Sequence, residues 1–161
     1  MPARADKKLR AYLDLGISSI EEELERVLPA PGSPPERLHD AMRHTLLAGG
    51  KRLRGVVVLA ACEMLRGARE QALPLACAVE MVHACSLILD DLPCMDDAQL
   101  RRGRPTAHRV FGESTAILAA FALLNAGFEQ VHAAEGLRER ARRRISLQLA
   151  RAIGPQGLSG G

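Results

Sequence analysis

Four carboxylates fall within the eight residues DDLPCMDD at 90–97: Asp90, Asp91, Asp96 and Asp97. At the end of an apolar helix such charges repel one another and meet the partial negative charge of the unpaired helix carbonyls. Burying them without cations would cost several kcal/mol per charge, or raise their pKa values until some were neutral. Hard oxygen donors with room for water suit magnesium, which takes one or two protein carboxylates and completes its shell with water and phosphate oxygens. The pattern therefore implies a phosphorylated substrate. Pro93 separates the two acidic pairs and breaks the helix there, so that the chain can curl and bring Asp96 toward Asp90 and Asp91.

Cations stand at the spacing such a substrate needs. Arg101, Arg102 and Arg104 follow the acidic segment closely, and a guanidinium grips phosphate oxygens in a bidentate manner that lysine does not match. Read alone, the same arginines could simply neutralise an exposed acidic loop. Upstream, GGKRLR at 49–54 sets Lys51, Arg52 and Arg54 on a glycine turn entering a helix, where free backbone N–H groups also favour anions. This is not a P-loop, because it lacks the Gly-Lys-Ser/Thr ending and the preceding strand. His83 lies seven residues ahead of Asp90 and so nearly on the same helical face. It reads either as a satisfied core histidine or as a group of the site.

The elements that must position these residues read as helices. Leu9, Leu13, Ile17, Ile20, Leu24 and Leu28 recur every three or four residues among glutamates, which gives an amphipathic first helix ended by the Pro-rich stretch 29–35. Ser33 and Pro34 are expected to open a second helix reaching about Ala48, which Gly49 and Gly50 stop. A third spans about 53–65, although Val56, Val57 and Val58 would suit a strand equally well by local propensity. The stretch 73–92 is apolar around most of its circumference, as a buried central helix is, and 115–131 and 137–153 give two more helices. Strands alternating with helices are nowhere indicated.

Composition agrees with an all-α chain. Of the 161 residues, 47% are apolar, yet only Tyr12, Phe111, Phe121 and Phe128 are aromatic, so the core must be Leu, Ala, Val and Ile packed closely through small side chains. A net charge of +3, left from 22 basic and 19 acidic residues, is far from the dense basic surface of a nucleic-acid binder. The basic run 138–144, interleaved with Glu139 and Ala141, reads as a solvated helix face. Cys62, Cys77, Cys85 and Cys94 form no CxxC pair and fit reduced residues of a cytoplasmic protein. The longest apolar run, 117–124, is too short to span a bilayer, and the charged first ten residues lack a signal-peptide core.

Together, GGKRLR at 49–54, EMVHACSLILDDLPCMDD at 80–97 and LRRGRPTAHRVFGE at 100–113 resemble, in order and spacing, the trans-isoprenyl diphosphate synthases. Leu89 before the aspartates and DDAQ at 96–99 look most like the geranylgeranyl diphosphate synthases of bacterial carotenoid pathways. The resemblance implies an isoprenoid-synthase-type helical bundle around a central cavity, of which residues 1–161 are the N-terminal half of a single domain. It implies that Asp90, Asp91 and Asp96 hold magnesium bridging an allylic diphosphate, also gripped by Arg101. Lys51, Arg54, His83 and Arg102 would bind isopentenyl diphosphate, with Arg52 and Arg104 less defined. The allylic diphosphate ionises, the double bond of isopentenyl diphosphate attacks the resulting cation, and loss of a proton restores an alkene. The positions that set product length in this family fall on Cys85 and Ser86, both small, which leaves room for a product longer than farnesyl, although both also suit close packing on a buried helix.

The family's second aspartate-rich motif has no counterpart here, since no aspartate follows Asp97, and the Gly- and Pro-rich end at 154–161 reads as a boundary inside a larger fold. Three readings follow: a geranylgeranyl diphosphate synthase represented in part, usually homodimeric and inactive in this form alone; a noncatalytic partner subunit of a full-length synthase; and a small metal- or phosphate-binding helical protein without prenyl chemistry.

Overall fold

The computed structural model describes residues 2–160. Among the described residues seven helices follow one another: α1 Pro2–Val27, α2 Glu36–Leu46, α3 Leu53–Met64, α4 Arg69–Asp90, α5 Ala107–Phe111, α6 Glu113–Ala133 and α7 Glu139–Ile153, with a 3-10 turn at Leu158–Gly160. Between α4 and α5 lies a two-strand antiparallel hairpin, β1 Leu100–Arg101 and β2 Arg104–Pro105, with Arg101 opposite Arg104. The all-α expectation holds, and the valine triplet of α3 is helical because Val56 and Leu59 are drawn into the core. Neither the hairpin nor α5 is foreshadowed by hydrophobic periodicity, since both are too short to carry one.

The start of α2 differs from expectation. Its N-cap is Pro35, and Ser33 instead donates its hydroxyl to the Ala30 carbonyl at 2.7 Å. Ser33 thus closes the preceding turn, and the helix begins at Glu36.

Helix α4 is the hub, packing on α1, α2, α3 and, most extensively, on α6. Small residues recur in the shared core: Ala72 and Ala76 of α4 and Ala116, Ala119 and Ala120 of α6 are buried with Leu24, Leu46, Leu59, Met81, Ile88 and Leu123. Small side chains let two helix backbones approach, and Gly127 marks the limit, since a Cβ there would lie 3.1 Å from the Ala78 carbonyl oxygen. Gly55 does the same for α3, where a Cβ would meet Ile20 Cδ1 at 2.7 Å. The scarcity of aromatics thus matches a core assembled by close helix contact.

By length and hydropathy α4 and α6 could each cross a membrane, although Glu80, His83 and Asn125 break their apolar runs. Both bury one face in the shared core, while α6 leaves Leu118 and Phe121 exposed. Helix α7 contrasts with them: none of its residues is buried, and Ala141, Ile145, Leu149 and Ala152 line an open apolar groove.

Candidate active site

The acidic segment begins where α4 runs out. Asp91 caps the helix, and Pro93 falls in the turn beyond it. The chain then folds back on itself: the Asp96 N–H donates to the Asp90 carbonyl at 2.9 Å, the Asp97 N–H to Leu92 at 3.0 Å and the Ala98 N–H to Asp91 at 3.2 Å. Asp97 sits in the left-handed region with φ 47°, closing the curl. This is the return of Asp96 toward Asp90 that the proline suggested, made through the backbone.

The carboxylates do not share one fate. Asp91 is buried, and its two oxygens accept from Arg101 Nε at 2.8 and 2.9 Å, with Nη2 adding a contact of 2.6 Å to Oδ1. Asp90 is half-buried and Asp96 and Asp97 are exposed, and among the described residues none of the three forms an ion pair. Nor do three His, Cys, Asp or Glu side chains converge on one point among the described residues. The donor set therefore fits a divalent ion bound by one or two carboxylates and otherwise by water and phosphate oxygens, and does not fit a closed protein cage.

The hairpin presents the arginines. Thr106 secures its base by donating its hydroxyl to the Ala98 carbonyl at 2.8 Å, and His44 on α2 donates Nε2–H to the Pro105 carbonyl at 2.8 Å while its ring meets Phe111 edge-on. Arg102 occupies the left-handed region with φ 54° and turns its guanidinium to the Gly49 carbonyl. Gly50 sits at φ 146°, where glycine is favoured, and a Cβ there would displace the Arg102 guanidinium, whose Nη1 would stand 2.6 Å from it. The hairpin arginine is thereby docked onto the glycine turn of the other cationic motif.

That docking creates a cleft of about 450 Å³ lined by Gly50, Lys51, Arg52, Leu53, Arg54, Glu80, His83 and Arg102. Four residues singled out from sequence, Lys51, Arg54, His83 and Arg102, thus come together from three separate segments. Arg54 Nη1 lies 3.2 Å from His83 Nε2. Arginine can only donate, so Nε2 accepts and the ring proton sits on Nδ1. Burial and then the neighbouring Arg54 push the His83 pKa below its ordinary value. Arg102 is likewise lowered, by burial first and then by Arg52. A cleft that crowds cations until they resist further positive charge is prepared for a polyanion.

Arg101 and Arg104 line a separate small pocket with His44 and Asp91, beside the cleft. Cys85 is buried in the α4 core, and burial raises its thiol pKa. Ser86 is half-buried and donates its hydroxyl to the His83 carbonyl at 2.9 Å.

Two residues escaped the sequence reading. Glu80 is buried beneath the cleft and accepts from the Gly55 N–H at 2.9 Å, and His44 braces the hairpin. For Glu80 a signal existed, because it is the lone carboxylate in the apolar stretch 73–89, three residues before His83. For His44 there was none.

An α-helical bundle with an acidic segment at the end of its central helix, beside a cationic cleft, is the arrangement of the prenyl-synthase class. The polyprenyl synthetase family profile matches residues 35–153, and the chain belongs to that family. It is 46% identical to geranylgeranyl pyrophosphate synthase 6, mitochondrial, of Arabidopsis thaliana, over 99% of this chain and 50% of that protein. It is 47% identical to a heterodimeric geranylgeranyl pyrophosphate synthase large subunit 2 of the same plant, over 93% of this chain and 39% of that protein. Its structure resembles an FPP/GFPP synthase from Zymomonas mobilis with a TM-score of 0.90 and 37% identity, covering 95% of this chain and 55% of that one. The chain spans about half the length of the curated relatives it matches.

Proposed function

We propose that this chain carries the diphosphate-binding part of a prenyltransferase that condenses isopentenyl diphosphate with an allylic diphosphate, with geranylgeranyl diphosphate as product. The observation that carries this reading is the cleft that joins Lys51, Arg54, His83 and Arg102 next to the acidic segment. In it, Lys51, Arg54 and Arg102 bind the diphosphate of isopentenyl diphosphate, and His83, held neutral by burial and Arg54, donates Nδ1–H. Of the three carboxylates expected to hold magnesium, Asp91 is paired with Arg101, so Asp90 and Asp96 would be its first ligands, and the bound ion would neutralise the departing diphosphate of the allylic partner. Arg101 steadies the same group from the edge not committed to Asp91. Cys85 and Ser86 leave the α4 wall narrow in bulk, which supports a product longer than farnesyl. Leu89 and the Asp96-to-Gln99 run support a place in carotenoid supply. The four free cysteines fit a reducing compartment, the cytoplasm in this reading. The assembly in this reading is a homodimer; a noncatalytic partner subunit of a full-length synthase is the second reading, and a relative named as a heterodimer's large subunit supports pairing with a different chain.

The test is incubation of the purified chain with labelled isopentenyl diphosphate, magnesium and each of dimethylallyl, geranyl and farnesyl diphosphate, alongside calorimetric titration of diphosphate. A twenty-carbon product supports the synthase reading, and magnesium-dependent diphosphate binding without product supports a catalytically incomplete half of the enzyme. Absence of both sinks the proposal.

A further inference from the structure

Beneath the cleft lies a buried ion pair. Arg52 and Glu80 are each 4% exposed at the side chain, with Nη1 3.7 Å from Oε2, and Glu21 of α1 approaches Arg52 Nε at 3.5 Å. Such a pair is not there for stability, because well-packed apolar residues of similar volume generally serve as well or better. Its placement explains it. Arg52 is the N-cap of α3 and sits in the left-handed region at φ 45°, ψ 28°, a conformation that disfavours a residue with a Cβ. It is held there by its own head group: Nη2 donates to the Leu46 carbonyl at 2.7 Å, tying the turn to the end of α2. Glu80 completes the arrangement by accepting from the Gly55 N–H at 2.9 Å in the first turn of α3. The two residues bracket the turn from which Lys51 and Arg54 project, and Glu80 stands one helical turn before His83 on α4.

We propose that Glu80 and Arg52 are positioning residues, a buried strut that fixes the 49–54 turn so that Lys51, Arg54 and His83 meet one diphosphate, and that Arg52 does not itself touch the ligand. This rests on the diphosphate-binding reading of the cleft. Arg52 offers a charge of the right sign, but its guanidinium is committed to Leu46 and Glu80, and the residue is 6% exposed.

Charge and positioning act with opposite signs at Glu80. Glu80 is an anion under a cationic basin, so on charge alone Glu80→Gln raises the local potential and tightens diphosphate binding. As a strut, Glu80→Gln removes the buried counter-charge of Arg52, leaving it with the partly exposed Glu21, and loosens the turn. Binding of inorganic diphosphate, read by calorimetry well below each variant's unfolding temperature, then weakens by about tenfold, the size of loss seen when the partner behind a binding group is removed at metal sites. Glu80→Asp keeps the charge but withdraws the acceptor from the Gly55 N–H by one methylene. The strut predicts weaker binding for it too, with the amide resonances of Lys51, Arg54 and Gly55 displaced, whereas a purely structural role lowers thermal stability and leaves the affinity of the folded protein unchanged. Unchanged or tighter binding in Glu80→Asp overturns the proposal, and because the charge is kept this variant stays informative if Glu80→Gln fails to fold. Lys51→Ala is the separate control: if it leaves diphosphate binding intact, the reading of the cleft fails, not the strut.

Discussion

Arg101 straddles Asp91, with Nε 2.8 and 2.9 Å from its two carboxylate oxygens and Nη2 2.6 Å from Oδ1. The Asp91 side chain is 4% exposed and that of Arg101 34%, so the aspartate depends on the arginine while the arginine keeps one edge in solvent. The hydrogen bonds to Asp91 raise the Arg101 pKa further still. Arg101→Ala abandons a buried carboxylate and is expected to destabilise the fold by about 1–3 kcal/mol, above the range of an exposed ion pair. Asp91→Asn, which leaves no buried charge, costs less. Urea denaturation of both variants checks the ordering, and equal losses would mean that solvent replaces Arg101 at Asp91.

The pH behaviour of His83 follows from its surroundings. Its pKa lies below the unfolded value of about 6.5, first through burial and then through Arg54, partly opposed by Glu80. The unfolded chain therefore binds the proton more readily than the folded one, and stability rises with pH across this window. The contribution is fully present above about pH 6.5 and is lost as pH falls through the lowered folded value. Diphosphate reverses the sign, since an anion in the cleft favours the imidazolium and lifts the pKa. NMR titration of the His83 ring is expected to show a low midpoint in the free chain and a higher one with diphosphate bound. No movement on binding would place the ligand elsewhere.

Cys85 separates a packing role from a length-setting one. It is 7% exposed on α4, one turn and a residue before Asp90, so Cys85→Phe overpacks the helix face at a cost of about 1–3 kcal/mol. If Cys85 borders the channel for the growing chain, the phenylalanine also shortens the product while Cys85→Ala does not. Product-length analysis of the two variants with isopentenyl and dimethylallyl diphosphates decides this. A slower reaction with unshortened product would assign Cys85 to packing alone.

Much of this was legible in the sequence, because helices and clustered charges leave periodic or dense local signals. The Leu9-to-Leu28 heptad-like stripe marks α1, and the continuous apolar stretch marks α4 as central. The convergence of Lys51, Arg54, His83 and Arg102 on one cleft is tertiary and could be anticipated only by resemblance. What stayed hidden has physical reasons. Asp91 reads like its neighbour Asp90, and nothing in DD says that one stays half-buried, with no ion pair among the described residues, while the other is locked to Arg101. Ser33 has the chemistry of a cap but spends its hydroxyl on the preceding turn. His44 serves the site through a carbonyl sixty-one residues away, a contact with no local signature.

The α4–α6 contact gives a prediction in which two effects of opposite sign compete. Gly127 lies inside α6, where alanine is favoured over glycine by about 1 kcal/mol of helix propensity, so on secondary structure alone Gly127→Ala stabilises. A Cβ at this position, however, would stand 3.1 Å from the Ala78 carbonyl oxygen and 3.3 Å from Val82 Cγ2. The valine can rotate, but the carbonyl belongs to the backbone of the central helix, flanked by the buried Cys77 and Met81, and cannot retreat without shifting the layer that carries His83. Overpacking of this kind costs about 1–3 kcal/mol, so the close approach wins and the variant is expected to unfold at lower urea concentration. Because the strain falls on α4 below the cleft, diphosphate affinity should drop with it. A stabilised Gly127→Ala would mean that α6 can slide away from α4, and that the small-residue seam is looser than the geometry requires.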